Sequence, residues 1–290
     1  MNKNFMKFAF ASALAFAGTL SVNAQITAPE WAVEQNATIQ HVGENMQLGD
    51  RFFLADEVLL VEITKISEVD DYAYEVKVVG VNDLKVAGLT ELVIPFSDFD
   101  KNINSKIVSV DPIAAYDPSA DKTPLSTDLS GITKLTVGYK LTDDHLPEPG
   151  YGIESIADNA FAKLTALTEI YSYCIEPPTM TAAAFPSAVY ANENVKLFVA
   201  PITLGTTAGK FANAAGWNKF FGKLYTIGYE FAFGDFDCNG KIKAKDASAL
   251  FDYQAESYSG DVNEFSIDVD GNGKFKAKDA SALFDLISNM

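Results

Sequence analysis

Two stretches of the chain read alike: DFDCNGKIKAKD at residues 235–246 and DVDGNGKFKAKD at residues 268–279, offset by 33 residues. The decapeptide KAKDASALFD then occurs unchanged at 243–252 and 276–285. Oxygens at loop positions one, three, five and twelve converge on one point when the chain turns sharply at position six, where Gly240 and Gly273 stand. Asp235, Asp237, Asn239 and Asp246 supply the first set, and Asp268, Asp270, Asn272 and Asp279 the second. Position seven offers a backbone carbonyl, here of Lys241 and Lys274, so a cationic side chain does no harm there. Lys243 and Lys276 at position nine leave room for a bridging water at most. Hard oxygen donors in this number select Ca²⁺, one ion per loop and two per chain. Position twelve is Asp, a shorter arm than the Glu of an EF-hand loop.

The flanks distinguish the loops from an EF-hand. Tyr229 to Gly234 is aromatic, alternating and closed by Gly, which predicts extended chain where an entering helix would stand. After the loops, Ala247, Leu250 and Phe251, and likewise Ala280, Leu283, Phe284 and Ile287, predict helices from Asp246 to about Gln254 and from Asp279 to about Asn289. Two loop-then-helix units related by an internal repeat resemble a type I dockerin, a small α-helical calcium-binding domain of paired F-hands, over residues 230–290. The resemblance implies a cohesin-like protein as partner. Within the family the two residues before the final loop Asp often carry partner choice and frequently form a Ser-Thr pair; here they are Ala244-Lys245 and Ala277-Lys278. The partner-binding face implied is Ala244, Lys245, Ser248 and Phe251 in one copy, and Ala277, Lys278, Ser281 and Phe284 in the other. A calcium fold that only stabilises this part of the chain is the plainer alternative.

The chain has 290 residues, of which 48 % are apolar, enough to bury a core in two or three domains. Lys3 and Lys7, an apolar run from Phe8 to Leu20 and the small-x-small Val22-Asn23-Ala24 predict a signal peptide over 1–24, cleaved before Gln25, and hence a secreted, extracellular protein. The apolar run is too short to span a bilayer, so no membrane insertion is expected. The whole chain carries a net charge of −17, with 39 acids against 22 bases. Such a surface repels polyanions, which argues against nucleic acid as a partner. Part of the excess belongs to the loops, since residues 235–290 hold 11 acids and 6 lysines.

Residues 25–130 give mostly β signals. Tyr74, Val76 and Val78 alternate with Glu75 and Lys77, and Val58 to Ile63 and Leu92 to Ile94 are short apolar runs. Asp111 to Asp128, with Pro112, Pro118 and Pro124, predicts an exposed connector. Further on, Ile132 to Val137 is followed, after an insertion with Pro147 and Pro149, by IESIADNAFAKLTALTEI at 153–170. That run is similar to a BspA-type leucine-rich repeat, in which a short strand, a turn with an Ala-Phe pair and a returning strand stack into a solenoid. Ala184-Phe185, Val195 to Val199, Trp217 and Phe220 are similar to the end of such arrays, and Leu92 to Pro95 to their beginning. Leu135, Ile170 and Leu197 lie 35 and 27 residues apart, an irregular period that needs the N-terminal strands as a cap. The fold class expected is therefore mixed and β-rich: an N-terminal β-rich region at 25–130, an irregular leucine-rich-repeat solenoid at 131–229 whose pattern begins near 88, and the calcium-binding domain.

Tyr171, Tyr173, Phe185, Tyr190, Phe198, Trp217, Phe220 and Phe221 suit core packing, with an exposed aromatic row for sugars or protein as the alternative. Cys174 and Cys238 are either a bridged pair or two separate thiols. His41 and His145, the two histidines, have no metal-spaced partner, and no phosphate loop or Gly-x-Ser-x-Gly elbow occurs. The reading is a non-catalytic extracellular interaction protein: a leucine-rich-repeat surface for a protein or glycan ligand, with a dockerin that associates the chain with the cell surface through a cohesin-like partner. The alternative is a small secreted polysaccharide-degrading enzyme carrying a dockerin.

Overall fold

The computed structural model describes residues 47–54, 58–66, 74–100, 103–116, 124–125, 129–141, 147–149, 152–201 and 205–290. The expected signal peptide and both histidines lie outside the described residues.

The strands are β1 (Arg51–Leu54), β2 (Leu59–Ile66), β3 (Tyr74–Asn82), β4 (Glu91–Asp100), β5 (Ile103–Tyr116), β6 (Pro124–Leu125), β7 (Lys134–Leu141), β8 (Pro147–Pro149), β9 (Ser155–Ile156), β10 (Glu169–Ser172), β11 (Lys196–Val199) and β12 (Leu224–Thr226). They form one open mixed sheet in the order β1-β2-β3-β5-β4-β7-β10-β11-β12, with β6 and β9 paired to β5 and β8 to β7. The helices are α1 (Asp83–Val86), α2 (Ser187–Ala191), α3 (Thr206–Asn213), α4 (Ala244–Gln254) and α5 (Ala277–Ser288).

From β4 onward the path is a parallel ladder. Leu92, Leu135, Ile170, Leu197 and Leu224 are successive register partners, and each is buried. The positions whose spacing looked irregular are thus neighbours in one apolar row, the turns between them differing in length. A second alignment joins the far side: Val110 pairs with Ile156, and Ser155 bridges Thr179. Below it the two Ala-Phe turns stack, with the rings of Phe161 and Phe185 4.7 Å apart and the Phe161 N–H donating to the Ala184 carbonyl. Because β4 pairs both with antiparallel β5 and with parallel β7, the N-terminal strands continue the ladder rather than capping it as a separate layer.

Two expectations are corrected. Asp111 to Tyr116 is strand, not connector: β5 runs through Pro112, and β6 pairs with its end. The register against β3 jumps from Val78↔Val110 to Gly80↔Ala114, so Pro112 sits in a bulge where no ladder N–H is required. The aromatics also divide. Phe185, Trp217 and Phe220 are buried, the Trp217 indole N–H donating to the Pro178 carbonyl at 2.8 Å. Tyr171, Phe198 and Tyr225 instead form a half-buried row on the opposite face of the ladder, with Tyr171 stacked on Phe198 at 4.7 Å. Both cysteines are free, Cys174 buried and Cys238 half-buried. Among the described residues no helix is long and apolar enough to cross a membrane.

Candidate metal centre

Each loop is wound around its own carboxylates. In the first, Asp235 accepts the Asn239 N–H on Oδ1 at 3.1 Å and the Gly240 N–H on Oδ2 at 2.8 Å. Asp246 reaches back from the following helix, accepting the N–H groups of Phe236 and Asp237 on Oδ1 at 2.8 and 3.2 Å and that of Lys243 on Oδ2 at 2.8 Å. The last bond explains why α4 starts at Ala244 and not at Asp246: the carboxylate at the third helical position holds the N-cap N–H of Lys243, which draws two more residues into the first turn. The second loop repeats the pattern. Asp268 accepts from Asn272 and Gly273, and Asp279 from Val269, Asp270 and Lys276, so that α5 starts at Ala277. Gly240 and Gly273 have φ of 80° and 77°, the left-handed turn expected at position six. No α-helix enters either loop; Ala232 bridges β12, and a 3₁₀ turn, Glu264–Ser266, precedes the second loop.

The result is two triads, Asp235 with Asp237 and Asp246, and Asp268 with Asp270 and Asp279, each with one carboxylate oxygen per residue within 4.8 Å of the others. Asn239 donates its amide N–H to Asp237, and a half-turn of that amide would present its oxygen instead. Lys241 and Lys274 point their side chains to solvent, so only their backbone carbonyls could take part. Burial pushes the carboxyls of Asp246 and Asp279 up; the hydrogen bonds from Lys243 and Lys276 pull the other way without cancelling it, and the neighbouring acids add to the rise. The Cys238 thiol is pushed up to about 11, first by burial and then by Asp235 and Asp261. Lys245 and Lys278 approach the cluster from outside, at 3.9 Å from Asp237 and 3.4 Å from Asp270, and both are largely exposed. Buried acids facing one another, with backbone N–H groups fixing their outer lone pairs, leave the remaining lone pairs to a hard cation, and the residues present fit Ca²⁺.

The eight residues of the implied partner face, Ala244, Lys245, Ser248 and Phe251, and Ala277, Lys278, Ser281 and Phe284, are all exposed. Their helices bury the alternate face, Ala247 and Leu250 in α4 and Ala280 and Leu283 in α5, all within one hydrophobic cluster. The second loop also has a neighbour that the repeat did not foretell. Helix α3 lies against it through Thr206, Gly209 and Asn213, spaced on one helical face. A glycine within a helical stretch was the available signal, since its cost of about 1 kcal/mol implies a close approach.

Comparison with curated proteins gives no match, and neither does comparison with solved structures. Residues 233–287, which hold both carboxylate triads and both exposed helical faces, match the family model described as Dockerin type I domain.

Proposed function

We propose that the chain is a non-catalytic extracellular interaction protein in which a calcium-loaded dockerin docks onto a cohesin-like partner. The observation that carries this reading is the duplicated unit: convergent oxygen donors followed by an exposed helical face repeated residue for residue. Asp235, Asp237, Asn239 and Asp246, with the Lys241 carbonyl, would hold one ion, and Asp268, Asp270, Asn272 and Asp279, with the Lys274 carbonyl, the other. Bound Ca²⁺ supplies charge neutralisation that lets the acids stay buried and ionised. The chain's own contribution is to fix those acids by backbone N–H groups and to set α4 and α5 side by side.

The ladder serves this reading as a leucine-rich-repeat-like binding surface. Its face opposite the Leu row carries Glu91, Lys134, Glu169 and Lys196 in register, beside the row of Tyr171, Phe198 and Tyr225. Lys134 lies 4.6 Å from the Tyr171 ring centre and Lys196 5.1 Å from that of Tyr225. Alternating charge beside stacked rings suits a protein or glycan ligand that offers both polar and apolar groups.

A pull-down on the producing cell's surface fraction, with calcium and with chelator, tests the docking. Recovery of one partner only with calcium supports it, and recovery of none, or equal recovery under chelator, overturns it. Turnover of a polysaccharide by the purified chain would refute the non-catalytic half and favour the enzyme reading.

A further inference from the structure

We infer that the two calcium loops, duplicated in sequence, are unequal in function, and that Thr206 of α3 is a positioning residue for the second. The inference rests on the calcium reading above. Thr206 Oγ1 donates to Asp268 Oδ2 at 2.5 Å, an oxygen that already accepts the Gly273 N–H at 2.8 Å. A carboxylate oxygen has two lone pairs, so Oδ2 is filled and Oδ1, which accepts only Asn272, is the atom left to face an ion. Asp235 accepts hydrogen bonds from Asn239 and Gly240 of its own loop. Thr206 therefore sets which oxygen of Asp268 faces the ion, and it does so from 62 residues away in sequence.

The rest of the contact makes the hydroxyl's position reproducible. A Cβ on Gly209 would stand 2.2 Å from the Asp268 carbonyl oxygen, so the helix and the loop backbone touch directly. Asn213 spans the Gly209 and Val269 carbonyls at 2.8 Å each. Gly205, with φ of 92°, lies under the Phe265 carbonyl just before the loop. The other face of α3 is in the core, where the rings of Phe211 and Trp217 lie 5.0 Å apart. Ion binding in the second loop thus orders α3 as well, whereas binding in the first does not. The contact uses loop positions one, two and four and leaves the exposed helical faces free.

The test uses the full chain, titrated with Ca²⁺ by calorimetry and followed by amide hydrogen exchange at residues 206–213. The unchanged chain should bind two ions and gain protection in α3. Thr206→Val, which keeps the shape and removes the donor, should weaken one of the two affinities about tenfold, the scale of a hydrogen bond to a charged group, and remove that protection. Thr206→Ser should restore both. In an Asp235→Asn background the Thr206→Val effect should persist, and in Asp268→Asn it should vanish. Asn213→Ala reports on the same contact, by loss of α3 protection, if Thr206→Val misfolds. Two ions bound with no response to Thr206→Val, or a response that survives Asp268→Asn, overturns the inference alone. No ion bound by the unchanged chain overturns the calcium reading beneath it.

Discussion

Cys238 and Gly271 hold the same place, position four of their loops, and both are in the left-handed region, with φ of 56° and 67°. Only one of them is glycine, and the reason lies outside the loop. A Cβ on Gly271 would stand 2.6 Å from the Lys210 backbone nitrogen in α3, whereas Cys238 is only half-buried and its side chain has room.

The first prediction exchanges them. Cys238→Gly removes left-handed strain of about 1–2 kcal/mol and adds freedom to the unfolded chain worth about 0.5–1 kcal/mol, so its net effect should lie between about zero and about 1.5 kcal/mol of stabilisation. Gly271→Ala should cost more than about 2 kcal/mol, because backbone must shift to admit the methyl group. Urea unfolding in calcium measures both. Equal costs would mean that the second loop does not press on α3.

The second prediction concerns the ions. Asp246→Asn and Asp279→Asn should each leave one ion bound out of two, by calorimetry, because each removes the position-twelve carboxylate of one loop. Chelation of the unchanged chain should lower its melting temperature, since a ligand that binds only the folded state stabilises by mass action. Loss of both ions from either substitution would show that the loops bind as one unit.

The loops were legible because their pattern is local: donors, turn and helix lie within the single short runs 235–254 and 268–288. The helices start two residues before the expected Asp246 and Asp279, because each of these carboxylates also caps its helix through the N–H of Lys243 or Lys276. The ladder was partly legible. Leu135, Ile170 and Leu197 stand out in the sequence, but turns of unequal length hide their common row, and Pro112 hides the continuation of β5 by sitting in a bulge. What pattern could not give was the contact of α3 with the second loop, because the reason for Gly209 is a carbonyl 59 residues further along the chain.

A third prediction separates core from surface. Leu197 is fully buried between Ile170 and Leu224, so Leu197→Ala should cost about 2–5 kcal/mol. Phe251 is 54 % exposed, so Phe251→Ala should change stability by less than about 0.5 kcal/mol, and with the equivalent Phe284→Ala added it should weaken capture of the partner. Denaturant unfolding and calcium-dependent pull-down on these variants give the contrast. A large stability loss from Phe251→Ala would place that ring in packing and remove it from the partner face.

The last prediction uses the repeat itself. Lys245 and Lys278 have side chains exposed to 80 % and 78 %, and Phe251 and Phe284 are exposed to 54 % and 50 %, so the two helical faces match in exposure as well as in sequence. The α3 contact touches Asp268, Val269 and Gly271 and reaches neither face. A partner that reads one face can therefore bind in two orientations related by a half-turn, at similar free energy. Lys245→Glu removes one orientation and should lower affinity only about twofold, or about 0.4 kcal/mol. Lys278→Glu should do the same, and the double variant should lose far more than the two singles together, a coupling that independent sites would not show. Calorimetry against the partner recovered by pull-down measures all three. Additive losses, or a full loss from either single substitution, would mean that the partner reads a fixed orientation.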